Sequence, residues 1–285
     1  MALKNILLHV DGTRACEGRE DAAIALALEH GAHLTALYCI GEIHIEGWAE
    51  WPMDLIEEQK SKAAEQADAS LARFRKKAER AGIGYETRSV TVYVNRIGEH
   101  VALHARYSDL AILGQNDPDE LSAGGPRIVE DVLFGSGRPV LVIPYIGAPG
   151  QGRNGGADFG HNVMIAWDSG RESARAVNDA IPMLERARQV EVVAVNPDKG
   201  LHHHGDEPGA DIALHLSRHD INVDVKVVEA RDMGTADTIL SRISDRGSDL
   251  LVMGGYGHGR MREIALGGVT RNILKHMTVP VLMSH

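Results

Sequence analysis

The chain has little of several features that define particular classes of protein. Only two of its 285 residues are cysteine, so the sequence predicts no disulfide framework and fits a reducing cytoplasm. No apolar run approaches the ~20 residues that span a bilayer. The apolar run near the N-terminus is too short for a signal peptide. We therefore expect a cytoplasmic protein that has no membrane partner.

Aromatic residues and positive charge are also scarce. With three Phe and three Trp, the core is expected to be mainly aliphatic, as in parallel-sheet proteins. Forty acidic residues against 30 basic ones give a formal net charge of -10, which argues against nucleic acid as the main partner. The length and a hydrophobic content of 44% favour a globular protein with two domains.

Strand and helix patterns alternate along the first half of the chain. Helical patterns, among them residues 54–80 and 95–106, separate short apolar segments. The segments predicted as strands are residues 5–10, 34–40, 85–92, 109–113 and 139–143. This order predicts an α/β fold with a doubly wound, five-stranded parallel sheet and right-handed crossovers, of the Rossmann-like kind.

The same pattern begins again in the second half. Residues 162–171 repeat the Asn, Asp and Arg spacing of residues 5–14. Residues 248–254 repeat the Ser-Asp start and the final glycine of residues 108–114. Self-similarity over a period this long predicts a duplicated domain and not a solenoid.

The duplication predicts the limits of the domains. We expect a first domain at residues 1–145, a glycine-rich linker at 146–161 and a second domain at 162–285. The last strand of each half, 139–143 and 280–283, could pair within the chain. That pairing would form an intrachain pseudo-dimer and would cover two sheet edges that otherwise favour aggregation.

The fourth strand of the second half leads into a glycine-rich loop and then a helical pattern. Glycines let backbone N–H groups approach an anion, and a helix N-terminus adds partial positive charge. A P-loop needs Lys and a hydroxyl residue after its last glycine, but Arg260 and Met261 follow Gly259. The dinucleotide fingerprint follows a first strand, and these glycines follow a fourth. Both motifs are excluded.

The spacing that remains is Gly254-x2-Gly257-x9-Gly267. With the repeated five-strand pattern, it makes the chain resemble the universal stress protein family over both halves, as two tandem domains. Members of that family that bind nucleotides carry Gly-x2-Gly-x9-Gly-Ser/Thr after the fourth strand. Here Gly268 stands in the place of the hydroxyl residue, and Thr270 is the next hydroxyl along the chain.

The resemblance implies an adenine nucleotide, ATP or AMP, in the second domain, and magnesium could accompany ATP. Trp167 and Asp168 would line the adenosine pocket, and Val195 would offer its backbone to adenine. The residues that the resemblance places around the ribose and the phosphates are Met253, Gly254, Gly257, His258, Gly259, Arg260, Gly267, Gly268 and Val269.

The corresponding loop of the first half is acidic. Asp117 stands where the second glycine of the motif belongs, and Asp119 and Glu120 follow it. Carboxylates in a phosphate loop repel the ligand. We therefore expect a degenerate phosphate loop in the first domain, with Asp11 as a structural residue at the end of its first strand.

The leading interpretation is a stress-response sensor or regulator, more a binding protein than an enzyme. No nucleophile accompanies Asp168, so no catalytic residue is predicted. A nucleotide-free scaffold stays open as an alternative, and so does a slow ATP hydrolase or phosphotransferase. Adjacent histidines such as 202–204 rarely point at one ion, so no metal site is predicted. A homodimer and an unidentified protein partner are left open.

Overall fold

The computed structural model describes residues 2–42, 53–120, 122, 124–150, 158–197, 207–230, 232–256 and 268–285. Within it the chain divides into two compact units, residues 2–138 and 139–285. The division falls before the fifth strand, so that strand groups with the second unit. The domain limits at 145 and 162 stay predictions.

The first unit alternates strands and helices in the order that the sequence predicts. Its strands are β1 (Asn5–Val10), β2 (His33–Glu42), β3 (Tyr85–Tyr93) and β4 (Leu110–Gly114). Its helices are α1 (Ala15–His30), α2 (Met53–Ala81), α3 (Ile97–Ala105) and α4 (Ile128–Ser136). The strands pair in parallel in the order β3-β2-β1-β4. Strands β1 and β4 are buried along nearly their whole length, which explains why their sequences are mainly apolar.

Helix α2 is attached to α1 through one buried carboxylate. The side chain of Glu20 on α1 is fully buried. Its two oxygens lie 2.9 Å from Nη2 of Arg73 and 3.2 Å from Nζ of Lys77, both on α2. Two cations satisfy this carboxylate, which would be strongly unfavourable in the core if it were unpaired.

The second unit repeats the alternation. Its strands are β5 (Val140–Ile143), β6 (Asn162–Ala166), β7 (Gln189–Val195), β8 (Val223–Val228), β9 (Leu250–Gly254) and β10 (Val281–Ser284). Its helices are α5 (Arg171–Leu184), α6 (Ala210–Ser217), α7 (Thr235–Arg246) and α8 (Gly268–His276). The strand order is β5-β10-β9-β6-β7-β8, and the pairs from β10 to β8 are parallel.

The two fifth strands pair with each other, as the sequence predicts. β5 runs antiparallel to β10, with Val142 opposite Val281 and Leu141 opposite Leu282. All four residues of each strand are buried. The pairing therefore satisfies the backbone groups of both strands and covers apolar surface at the same time.

The repeated Ser-Asp dipeptide has a structural cause. Asp109 accepts backbone N–H groups of Lys4 and Asn5 at 2.7 and 2.9 Å. Asp249 accepts the backbone N–H groups of His161 and Asn162 at 3.1 and 3.0 Å. In each unit this carboxylate binds the backbone where one strand starts, β1 in the first unit and β6 in the second.

The core is aliphatic, as the scarcity of aromatic residues predicts. Apart from Phe74, the largest fully buried side chains among the described residues are leucines and isoleucines. They include Leu8, Leu37 and Ile112 from the central strands of the first unit. Within the described ranges we find no helix with the length and apolar character needed to cross a membrane.

Candidate functional site

The parallel strands of the second unit change their direction of winding at β6. The chain passes from β6 to β7 on one side, whereas β9 lies on the other. Ala166, the last residue of β6, lies opposite Val193 of β7 and Met253 of β9. In doubly wound sheets a crevice opens beyond the carboxyl ends of the strands at such a switch point, and ligands bind there. The residues that follow these strands therefore line the candidate site.

Trp167 and Asp168 leave β6 at this crevice, and both are half-buried. The backbone N–H of Trp167 donates to the carbonyl oxygen of Val193 at 2.9 Å, one residue beyond β6. Oδ1 of Asp168 accepts the backbone N–H of Gly170 at 2.8 Å, and Gly170 is the N-cap of α5. This bond holds the carboxylate beside the positive end of a helix, where an anion is stabilised.

Gly254 lets strand β9 approach helix α5 closely. Val195 and Gly254 end β7 and β9, and Met253 is buried in the strand before Gly254. A Cβ on Gly254 would lie 2.5 Å from the backbone nitrogen of Ser173 and 2.8 Å from the carbonyl carbon of Glu172. Because both atoms belong to the backbone of α5, only glycine fits. The first glycine of the motif thus has a packing role that is independent of any ligand.

Contacts from α8 and β10 fix the first residues of the glycine-rich loop. Tyr256 has a φ of 59°, in the left-handed region, and its N–H donates to Oγ1 of Thr270 at 3.2 Å. The N–H of Gly255 donates to the carbonyl of Ser284 at 2.9 Å, and its own carbonyl lies 3.0 Å from Nδ1 of His285. The Thr270 hydroxyl therefore holds loop backbone. Sequence reasoning missed these anchors because each joins residues distant in the chain.

Within the described residues, helix α8 extends from Gly268, and Val269 follows it with 36% of its surface exposed. The N–H groups of the first helical residues have no acceptor within the helix, so they can donate to an anion. A Cβ on Gly268 would meet no described atom within 4 Å. Among the described residues, none obstructs the serine or threonine that the resemblance places at position 268.

The first unit has an equivalent switch point between β2 and β4, at β1, and charged side chains line the cleft there. Asp11 follows β1 and is 3% exposed; its Oδ2 lies 2.8 Å from Nη2 of Arg19. Nε of Arg19 donates to the carbonyl oxygen of His9 at 2.9 Å. Burial raises the pKa of Asp11, but Arg19, His9 and hydrogen bonds from Thr13 outweigh it and hold that pKa well below its usual range. Asp11 is thus a structural carboxylate.

The acidic loop lines the same cleft of the first unit. A Cβ on Gly114, at the end of β4, would overlap Nη1 of Arg19, so the guanidinium lies against the end of that strand. Oε2 of Glu120 accepts the backbone N–H of Arg14 at 2.9 Å, at the N-terminus of α1. Asp117 also lines the cleft. Side chains of the chain itself therefore engage both the Asp11 carboxylate and the backbone at the N-terminus of α1 in this cleft.

Residues 160–285 match the model of the universal stress protein family. The chain carries a universal stress protein domain. Over 47 residues it is 38% identical to a universal stress protein from Methanocaldococcus jannaschii, which covers 16% of this chain and 29% of that protein. The match thus spans less than a third of that relative's length.

The universal stress protein fold extends over both units. A universal stress protein from Archaeoglobus fulgidus has a TM-score of 0.71 at 17% identity, covering 98% of this chain and 94% of that one. A Pseudomonas aeruginosa protein of unknown function has a TM-score of 0.59 at 15% identity, covering 99% and 92%. At these identities the likeness establishes the fold. The predicted α/β fold is therefore confirmed over both units, and the predicted family is supported for residues 160–285, which the family model matches.

Several of the residues predicted for the site of this domain lie within the described ranges. Trp167, Asp168, Val195 and Gly254 all lie at the carboxyl ends of adjacent strands. Five predicted residues lie outside the described ranges: Gly257, His258, Gly259, Arg260 and Gly267. Histidines 202–204 also lie outside them. Across the part of the chain that is described, no three His, Cys, Asp or Glu residues are grouped so that they could hold a metal ion.

The buried histidine of the first unit predicts a pH-dependent stability. Burial lowers the pKa of His9 from 6.5 to about 4, although the charge of Asp11 opposes this. Between about pH 6.5 and pH 4 the unfolded chain therefore binds a proton at His9 and the folded chain does not. The free energy of unfolding falls as the pH drops through this range. Between pH 7 and pH 4, wild type should lose about 3 kcal/mol more than His9→Gln in urea unfolding. Equal losses in the two proteins would contradict this.

Proposed function

We propose that the universal stress protein domain binds an adenine nucleotide, ATP or AMP, and that the protein is a stress-response sensor or regulator. One observation carries the proposal. The ends of β6, β7 and β9 meet at the switch point, and the Tyr256–Thr270 bond joins the loop after β9 to the start of α8. An aromatic ring, a carboxylate and a helix N-terminus thereby come to one edge of the sheet, as adenosine and phosphate recognition requires.

Each part of the nucleotide has a proposed partner. The half-buried ring of Trp167 and the backbone of Val195 face adenosine, and Asp168 accepts from ribose hydroxyls. The backbone N–H groups of Gly268 and Val269 donate to phosphate at the start of α8. The resemblance completes the set with Met253, Gly254, Gly257, His258, Gly259, Arg260 and Gly267. Magnesium would accompany ATP by neutralising phosphate charge.

The missing hydroxyl weakens this site without removing it. Backbone donors supply most of the phosphate contacts in a glycine-rich loop, and they do not depend on the side chain at position 268. The carboxylate of Asp168 accepts a hydrogen bond from the backbone N–H of Gly170, and it lies at a half-buried position. Asp11 in the first unit is held differently, by the cation of Arg19.

Calorimetric titration of the full chain with ATP, ADP and AMP tests the proposal. We expect wild type to bind nucleotide and Gly257→Asp, which copies Asp117 of the acidic loop, to bind none, because the new carboxylate repels phosphate. Gly268→Ser should strengthen ATP binding by about tenfold, since a hydrogen bond to a charged group contributes about 1.5 kcal/mol. Gly268→Ala is the matched control, because it adds the Cβ without the hydroxyl and should leave the affinity unchanged.

The other outcomes separate the alternatives. If wild type binds none of the three nucleotides, the proposal fails and a nucleotide-free scaffold becomes the better interpretation. The internal ion pair of Asp11 with Arg19 in the cleft of the first unit favours that alternative. Sustained ATP turnover that is lost in Asp168→Ala would instead favour the hydrolase or phosphotransferase. A homodimer and a protein partner stay predictions.

A further inference from the structure

We propose that strand β8 is the contact surface for a second copy of this chain, and that the two copies pair antiparallel about Val225. β8 is the outermost strand of the second unit, and among the described residues no strand pairs with its outer side. An unpaired strand edge presents a row of backbone donors and acceptors that another strand can satisfy. The pairing concerns the assembly of the protein and does not depend on nucleotide binding.

The backbone of β8 divides its hydrogen-bonding groups between the two sides of the strand. On the inner side, the carbonyl oxygen of Val228 accepts the N–H of Asn196, the residue after β7, at 2.9 Å. Because successive residues of a strand direct their N–H and C=O groups to opposite sides, the even-numbered residues of β8 bond to β7. The outer side therefore presents the N–H and C=O groups of Val223, Val225 and Val227.

A second copy related by a twofold axis can pair with these outer groups in a self-complementary register. With Val225 opposite its own counterpart, Val223 lies opposite Val227 twice, and each of these pairs can exchange two backbone hydrogen bonds. In the same register Asp224 lies opposite Lys226 of the second copy, also twice, because a twofold interface repeats every contact. These charged residues occupy positions between the hydrogen-bonded pairs, where opposite side chains come closest and their attraction stabilises the pairing.

The same two charges disfavour the neighbouring registers. The next registers that keep the outer backbone groups paired are centred on Asp224 or on Lys226. The first places two carboxylates opposite each other and the second places two ammonium groups so, and like charges directly opposite destabilise a strand pair. The side chains of β8 therefore select the register centred on Val225.

The side chains of β8 are accessible to a partner. Asp224 and Lys226 are exposed, and Val227 has 52% of its surface exposed although it is apolar. Oδ2 of Asp224 accepts a hydrogen bond from Nε2 of Gln189 at 3.3 Å, and Lys226 forms no ion pair with any described residue. β8 has six residues, and one strand pair of this length covers less than the ~1,200 Å² that stable complexes bury. We therefore expect a reversible dimer with a Kd on the order of 10–100 µM.

Charge reversal on β8 tests both the surface and the register. Sedimentation equilibrium of the full chain, at concentrations that bracket this Kd, should show a reversible monomer–dimer equilibrium for wild type. Lys226→Asp and Asp224→Lys should each weaken the dimer by about thirtyfold, since two attractive pairs become two repulsive ones. The double variant Asp224→Lys/Lys226→Asp should recover the wild-type affinity, because both opposite-charge pairs are restored with their signs exchanged.

An equimolar mixture of the two single variants controls for misfolding. Lys226→Asp presents two carboxylates and Asp224→Lys presents two ammonium groups, so the two should form a mixed dimer with about the wild-type affinity. Chains that had lost their fold would not associate in this way. The matched control lies on β3, the outer strand of the first unit, where Arg88 pairs with Glu86 of the same strand. Arg88→Glu should leave the dimer of the chain unchanged.

Three results would overturn the β8 contact. The first is a wild type that stays monomeric at concentrations well above this Kd, whether β8 stays free or takes an extended peptide from another protein. The second is a dimer that both single reversals leave intact, because its contact then lies elsewhere on the chain. The third is a mixture of the two single variants that forms no mixed dimer.

Discussion

Asp11→Ala is expected to lower the free energy of unfolding of the first unit by about 3–5 kcal/mol. The substitution leaves the guanidinium of Arg19 buried, without the carboxylate that lies 2.8 Å from it in the wild type. A buried charge that loses its partner keeps its desolvation penalty and no longer has the compensating attraction. Urea unfolding at pH 7 measures the change.

The duplicated domain provides the control for this prediction. Asp168 is the equivalent aspartate, but it is half-buried and its carboxylate accepts a backbone N–H from Gly170 at 2.8 Å. Asp168→Ala should therefore cost only about 1 kcal/mol. Adding Arg19→Met to Asp11→Ala should recover part of the lost stability, because it removes the unpaired charge and keeps an apolar stem. A cost for Asp11→Ala no larger than that for Asp168→Ala would contradict the buried pair.

Gly254→Ala should destabilise the second unit by about 2–3 kcal/mol, as overpacking in a closely packed interior does. The added Cβ would lie 2.5 Å from the backbone nitrogen of Ser173 and 2.8 Å from the carbonyl carbon of Glu172. Backbone atoms cannot move aside by a rotamer change, so the N-terminus of α5 has to shift. Urea unfolding measures the loss, and nucleotide titration of the same variant shows whether that shift reaches the proposed site.

The control for Gly254→Ala is another glycine of the same motif. A Cβ on Gly268 would meet no described atom within 4 Å, and Gly268 is the first residue of α8. Gly268→Ala should be neutral or stabilising by up to ~1 kcal/mol, because alanine is the better helix former. Equal destabilisation by the two substitutions would mean that the contact between β9 and α5 does not constrain position 254.

Helices and strands could be predicted from the sequence where their hydrophobic pattern lies within a few neighbouring residues. The apolar run at 5–10 coincides with β1, and the predicted helix at 54–80 is α2 within one residue at each end (Met53–Ala81). A strand buried on both faces has to be apolar along its length, so the sequence itself marks it. The duplication could be predicted for the same reason. Each half keeps an Asp directly after its first strand and a glycine at the end of its fourth strand.

The site was predictable only in part. Trp167, Asp168 and Gly254 could be assigned to one sheet edge because carboxyl ends of parallel strands meet there. Arg19 and Thr270 were missed, although each lies on a helix that was predicted. Nothing in the helical pattern distinguishes an arginine that faces solvent from one that enters a cleft.

Periodicity and repeated spacing therefore specify the alternation of strands and helices and the duplication, because each pattern is written in residues close together in the chain. The family was indicated by a resemblance of the glycine spacing to that of universal stress proteins. Tertiary structure alone pairs β5 with β10, brings the Thr270 hydroxyl to Tyr256 and places the guanidinium of Arg19 against Asp11. These contacts depend on how elements pack, and a buried charge or hydroxyl takes whichever partner the packed backbone leaves within reach.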